Sequence, residues 1–120
     1  MCIPERRSAR LSERTFKIAS GGLEKIQVLE YKSIYSLIKK FKLLNVWTIG
    51  LDMKGKDKIE NFDLGNQNLA FFIGSEEKGL SHGLMDKLDN VLRISMSDDI
   101  ESLNVSVAAA IAMQHIFIKN

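Results

Sequence analysis

Two segments of this 120-residue chain hold residues whose types and spacing can do chemistry. The first is Phe72-Ile73-Gly74-Ser75-Glu76-Glu77-Lys78-Gly79-Leu80-Ser81. Gly74 and Gly79 follow an apolar run, where glycines let the backbone turn sharply and approach a ligand closely. A phosphate-cradling loop is excluded, because it needs a lysine directly after its second glycine and Leu80 stands there. Glu76 and Glu77 would also repel phosphate. An acidic loop suits a cation, a hydroxyl donor or an arginine better. The alternative is a plain strand-to-helix turn that binds nothing.

The second segment runs from Arg93-Ile94-Ser95-Met96-Ser97 through Asp98-Asp99-Ile100-Glu101 to Ser102-Leu103-Asn104. Ser102 and Asn104 can cap the helix that follows, whose free N–H groups then point back at the strand ends. Capping alone also accounts for both residues. Further along, Ala108, Ala109, Ala110 and Ala112 make a flat helix surface suited to close packing. That packing can lie within the chain or between subunits, and the residues leave both open.

The elements that must position these segments alternate between strand and helix. Ser12 to Ser20 reads as a short helix stopped by Gly21-Gly22. Ile26 to Leu29 is a strand candidate. Ser33 can cap a helix in which Ile34, Leu37, Ile38, Phe41 and Leu44 share the apolar side and Lys39, Lys40 and Lys42 the polar one. Val46 to Leu51 and Leu69 to Ile73 read as strands covered on both faces, as in a parallel sheet. Between them, Asp52 to Asn68 reads as a polar loop or a single helical turn. A short helix over Ser81 to Leu88, a strand over Asn90 to Ile94 and a long helix over Leu103 to Ile118 complete the chain. The expectation is one α/β domain, a mainly parallel sheet with flanking helices. Ligands in such folds bind at the carboxyl ends of strands, here after Leu51, Ile73 and Ile94.

Composition narrows the classes further. At 45% hydrophobic and 27% charged, with Gly 8 and Pro 1, the chain is of ordinary globular type, neither disordered nor collagen-like. Cys2 is the single cysteine, so an intrachain disulfide is excluded, and one Cys with two His cannot build a structural zinc site. A reducing, cytosolic location is expected. The formal charge of +2 demands no particular partner. The longest apolar stretch, Val105 to Met113, falls well short of the roughly 20 residues that span a bilayer. The charged block Pro4 to Ser8 does not fit a signal peptide. His82 and His115 have no evident partner in the sequence, and Trp47 reads as a core residue.

Gly74-Ser75-Glu76-Glu77-Lys78-Gly79-Leu80 resembles the second signature motif of the SpoU (TrmH) family of RNA ribose 2′-O-methyltransferases, a SPOUT superfamily group. Ser102-Leu103-Asn104-Val105-Ser106-Val107-Ala108-Ala109 resembles the third motif almost without exception. Pro4 to Ala9, followed by Ala19 to Glu24, is similar to the stretch between motifs one and two in the RlmB-like branch, which methylates a guanosine of 23S ribosomal RNA. The chain departs from the pattern at Glu77, where glycine is usual, at Ser95, where proline precedes Met96, and at Ala110, often glycine. The first motif, with its Asn and catalytic Arg, should lie upstream of Ile3-Pro4. The chain is therefore expected to be the carboxyl-terminal part of a catalytic domain, from a truncated form, a misplaced start or a degenerate gene.

The resemblance implies a carboxyl-terminal trefoil knot, a rare exception to ordinary topology. It implies that S-adenosylmethionine binds in the knot loops, with Gly74, Ile94, Met96, Leu103 and Asn104 around it. Glu76 would orient the motif-one arginine, and Ser102 and Asn104 would place substrate or cofactor as the catalytic set. Ribosomal RNA is the expected substrate, transfer RNA the alternative, with Arg6, Arg7 and Arg10 the leading phosphate contacts. Arg14 and Lys17 extend that basic cluster, whose alternative reading is a solvated surface. A homodimer is expected, and no membrane partner. Without the arginine, this chain alone is expected to be weakly active or a cofactor- and RNA-binding fragment.

Overall fold

The computed structural model describes residues 1–4, 26–75, 78–95 and 105–119, divided between two units, Met1–Leu37 and Ile38–Asn120. The helix expected over Ser12 to Ser20, its glycine stop and the basic cluster Arg6 to Lys17 lie outside the described residues. In the first unit, strand β1 (Cys2–Pro4) pairs in parallel with β2 (Leu29–Tyr31), Cys2 opposite Leu29 and Pro4 opposite Tyr31. The Met1 ammonium donates to the Gln27 carbonyl at 2.7 Å, and the Leu29 N–H donates to the Met1 carbonyl at 2.8 Å. This pairing starts the strand at Leu29, three residues later than the apolar run from Ile26 suggests. Helix α1 (Ile34–Leu43) begins after Ser33, whose Oγ accepts the Ser36 N–H at 3.4 Å. That is the cap its sequence predicts.

The second unit holds the sheet that carries the chemistry-bearing segments. Its strands are β3 (Trp47–Leu51), β4 (Asp57–Lys58), β5 (Leu69–Ile73) and β6 (Asn90–Arg93), in the order β4-β6-β3-β5 with each neighbouring pair parallel. Helices α2 (His82–Met85) and α3 (Val105–Lys119) accompany it. β3 is central and buried from Thr48 to Leu51, as its unbroken apolar run requires. β5 is at the sheet edge and only Phe72 is fully buried, so it is not covered on both faces as expected. The core gathers Ile49, Leu51, Leu92, Ile59, Leu64 and Ala112, with Trp47, Phe62, Ile73, Ile94 and Ile116 half-buried against it. Burying each large aliphatic side chain of this set contributes about 1.5–3 kcal/mol.

Three differences from the sequence reading have physical causes. The segment Asp52 to Asn68 is not merely a loop. It contributes β4, a 3-10 turn (Ile59–Asn61), and two deeply buried residues, Ile59 and Leu64. Leu44 does not join the buried side of α1, because the helix ends at Leu43 and the chain turns at Asn45 with φ 58°; Leu44 is 70% exposed. In α3, Ala108 and Ala112 are buried, Ala112 within the core of its own unit, while Val107, Ala110 and Met113 face outward. Intrachain packing thus takes two of the alanines, and the outward strip is a mixture of larger groups.

At the amino end of the sheet, Asp89 fixes the register of β6 against β3. Its Oδ2 accepts both the Thr48 N–H at 2.8 Å and the Thr48 hydroxyl at 2.9 Å. The Asp89 N–H donates back to Thr48 at Oγ1 and at the carbonyl. Thr48 is fully buried, so these bonds satisfy polar groups that would otherwise be orphaned.

Candidate functional site

Parallel strands end on the same edge. Leu51 at the end of β3 lies opposite Ile73 of β5 on one side and Leu92 of β6 on the other. The residues that follow these strands, Asp52, Gly74 and, beyond Arg93, Ile94, therefore lie at the same carboxyl edge, the usual ligand position in such sheets.

The Gly74–Leu80 turn is tightly closed. Ser75 and Gly79 form an isolated antiparallel bridge, with the Gly79 N–H donating to the Ser75 carbonyl at 2.8 Å. Ser75 Oγ accepts the Lys78 N–H at 3.2 Å. A Cβ at Gly74 would stand 2.2 Å from the Gly79 carbonyl carbon, so only glycine permits this approach. Gly79 has φ +63°, a left-handed conformation that side chains disfavour. The two glycines thus serve the turn itself, each for a different reason. Ser81 then caps α2, its Oγ accepting the Leu84 N–H at 3.2 Å.

The residue the sequence reading missed is Asp52. Its Oδ1 accepts the Lys54 N–H at 2.9 Å, an Asx turn. Its Oδ2 accepts the Leu80 N–H at 2.8 Å, from a residue 28 positions away. Its own N–H donates to the Leu92 carbonyl at 3.0 Å. Asp52 thereby links β6 to the turn that follows β5. The signal in the sequence was an acid set directly after a buried strand end, at the one of the three loops to which no residue was assigned.

The loop after β6 is braced as well. Arg93 Nη1 donates to the Gly55 and Lys56 carbonyls at 2.8 and 2.7 Å. The Ser95 hydroxyl donates to Glu60 Oε1. That hydrogen bond holds the Glu60 carboxyl below the usual glutamate range, helped by the residue's own backbone hydrogen bond and by nearby Lys58 and His115, and opposed by desolvation. A proline at position 95 would have no hydroxyl to make this contact.

Of the residues singled out from sequence, the structure places Gly74 and Ile94 on this shared edge. Ile94 is half-buried and packs against the core, so its side chain flanks the edge from below. Glu76, Met96, Ser102, Leu103 and Asn104 lie outside the described residues, as do Arg6, Arg7 and Arg10. Trp47 is half-buried, meeting Phe62 edge-on with ring centroids 6.2 Å apart, in keeping with a core role. His82 is exposed on α2, and His115 has a buried Nε2 with no hydrogen-bond partner among the described residues. A groove of about 720 Å³ opens at the opposite edge of the sheet, beside Lys42, Asn45, Gln67 and Asn90. Its one acid, Asp89, is bonded to Thr48, and none of the motif residues lines it. No helix among the described residues is long and apolar enough to cross a membrane.

The family model of the SpoU rRNA Methylase family matches residues 1–114. A Bacillus subtilis (strain 168) protein named as a TrmH family tRNA/rRNA methyltransferase, YacO, is 32% identical over 117 residues, covering 98% of this chain and 47% of the relative. A Staphylococcus aureus (strain COL) protein named as a TrmH family tRNA/rRNA methyltransferase matches with the same identity and coverage. The chain spans about half the length of the curated relatives it matches. Among solved structures, the SpoU methyltransferase AviRb from Streptomyces viridochromogenes, in complex with the cofactor AdoMet, superposes with a TM-score of 0.83 at 19% identity, over 95% of this chain and 44% of that one. At that identity the likeness establishes a shared fold.

Proposed function

The chain belongs to the SpoU rRNA Methylase family, and from that premise we propose that it is the knot-bearing part of an RNA 2′-O-methyltransferase that uses S-adenosylmethionine. The observation that carries the reading is the shared carboxyl edge, where Asp52, the Gly74–Leu80 turn and Ile94 stand side by side at the ends of three adjacent strands. The described residues suit such a cofactor. Closely packed glycine backbone leaves the turn low, Ile73 and Ile94 offer apolar flanks for a purine, and Asp52 sets acidic character near a cationic sulfonium. When bound, the cofactor supplies an electrophilic methyl group.

The chain's own residues have positioning tasks in this reading. A ribose 2′-hydroxyl is a poor nucleophile, so alignment and a nearby base carry much of the rate. Glu76 orients an arginine toward that hydroxyl. Ser102 and Asn104 place substrate and cofactor from the start of α3, and Met96 and Leu103 flank the adenine. Arg6, Arg7 and Arg10 meet RNA phosphates. The proposed substrate is a guanosine of 23S ribosomal RNA, in a cytoplasmic enzyme with a carboxyl-terminal trefoil knot. The outward strip of α3, with Val107 and Met113 46% and 61% exposed, is proposed to meet a second copy in a homodimer.

Calorimetry with S-adenosylmethionine on the 120-residue chain tests the cofactor assignment, and labelled-methyl incorporation into ribosomal and transfer RNA tests the substrate. Saturable binding and ribose methylation of the ribosomal substrate are expected, the latter at full rate only when the motif-one arginine is present. Absence of binding at millimolar cofactor would overturn the reading. Labelling of transfer RNA alone would replace the substrate.

A further inference from the structure

We infer that Asp52 is a positioning residue of this site, the tie that holds the Gly74–Leu80 turn in register with β6; the inference rests on the cofactor reading above. The structure gives the carboxylate two separate duties. Oδ1 closes the local Asx turn onto the Lys54 N–H. Nothing local calls for Oδ2, which reaches across to the Leu80 N–H at 2.8 Å, 28 residues further along the chain. An Asx turn needs one acceptor; the second is spent on the turn that follows β5.

The base of this arm is fixed before the arm reaches out. The Asp52 N–H is held by the Leu92 carbonyl of β6, and the Gly55 N–H folds back to the Asp52 carbonyl at 3.0 Å. The Arg93 guanidinium then clamps the Gly55 and Lys56 carbonyls. A rigid stretch, residues 52–56, is thus bound to β6 and presents one carboxylate oxygen to the neighbouring turn. That oxygen also bears on Gly79, where an added Cβ would stand 2.5 Å from it. The glycine with φ +63° is therefore the one against which the carboxylate lies. Loss of Oδ2 would free the Leu80 N–H and open space over Gly79 together, letting the Gly74–Leu80 turn drift relative to Ile94. Binding sites lose affinity when supporting contacts no longer hold their loops to the productive geometry.

The test compares Asp52→Ala, Asp52→Asn and Thr48→Val with the unaltered chain, using S-adenosylmethionine calorimetry, urea denaturation and amide hydrogen exchange. Thr48 lies at the opposite edge and reports loss of stability alone. Asp52→Ala is expected to weaken cofactor binding by at least about tenfold and to speed exchange of the Leu80 amide, with Thr48→Val binding as the unaltered chain does. Asp52→Asn has a single acceptor oxygen for the Lys54 and Leu80 N–H groups together, and is expected to weaken binding about as much as Asp52→Ala. If the unaltered chain binds no cofactor, the functional reading fails and this inference falls with it. If it binds and Asp52→Ala binds equally well, the positioning role alone is overturned. An Asn variant with faster Leu80 exchange but unchanged binding would mean that the tie does not position the site, which also overturns it. Should Asp52→Ala fail to fold, faster Leu80 exchange with weakened cofactor binding in Asp52→Asn supports the tie, and binding there equal to that of the unaltered chain overturns it.

Discussion

Replacing Gly74 by alanine tests whether the turn is held by close backbone contact or merely by its left-handed residue. The added Cβ would meet the Gly79 carbonyl carbon at 2.2 Å, its oxygen at 2.4 Å and the Leu80 nitrogen at 2.6 Å. Comfortable carbon contacts lie near 3.5–4.0 Å, so the backbone must retreat by more than about 1 Å. All three obstacles are main chain, and no side chain can rotate away to relieve them. Forced overpacking of this kind costs about 2–3 kcal/mol, or roughly 8–12 °C in Tm for a chain of this length. Gly65→Ala supplies the comparison: Gly65 has φ +62° but nothing within 4 Å of its Cβ position, so it isolates the conformational cost, about 1–2 kcal/mol. Urea denaturation followed by fluorescence of Trp47, the single tryptophan, measures both variants. A Gly74→Ala loss no larger than that of Gly65→Ala would show that the turn relaxes freely and would refute the close-contact argument.

Three further outcomes follow from particular contacts. Asp89→Ala strips the acceptor from both the Thr48 N–H and its hydroxyl and should lower stability by about 2–4 kcal/mol, whereas Thr48→Val, losing the hydroxyl only, should cost about 1 kcal/mol; urea midpoints separate them. Leu64→Ala should cost about 2–4 kcal/mol although it lies in a polar stretch, and Leu43→Ala, 83% exposed, should fall within about 0.5 kcal/mol of the parent in the same assay. Ser95→Ala removes the donor that depresses the Glu60 pKa, so a carboxyl titration followed by NMR should show Glu60 moving up toward its ordinary value. Because the folded pKa lies below the unfolded one, this contact stabilises fully above the ordinary glutamate range, fades as pH falls through the folded value, and is absent from the variant.

The parts of the fold legible in sequence were those whose signal is local. Val46 to Leu51 and Leu69 to Ile73 are continuous apolar runs of strand length, and they became β3 and β5. Ser33 announced α1 as its cap and accepts the expected N–H. The glycines at 74 and 79 marked the sharp turn. What stayed hidden depends on partners far along the chain. β4 is two charged residues, Asp57 and Lys58, whose strand geometry comes entirely from pairing with Leu92 and Arg93. Ile59 and Leu64 are isolated apolar residues in a polar stretch, and only their packing with Ile49, Leu51, Leu92 and Ala112 decides that they are core.

The same distinction explains why Asp52 escaped notice while Gly74 did not. A glycine advertises a backbone need by its identity, since few other residues can replace it at a close approach. An aspartate after a strand advertises only an Asx turn, a local event that its Oδ1 indeed performs. The information in Oδ2 concerns Leu80, and no periodicity links positions 52 and 80. It becomes readable only when the order β6-β3-β5 sets three strand ends on one edge. In a parallel sheet, then, an acidic residue directly after the central strand deserves to be weighed against the loops of both neighbours, because that strand alone borders both. Here its side chain reaches the turn after β5 while its backbone is held by β6, and the turn that one sequence motif singles out is joined to its neighbouring strand through a residue that belongs to no motif.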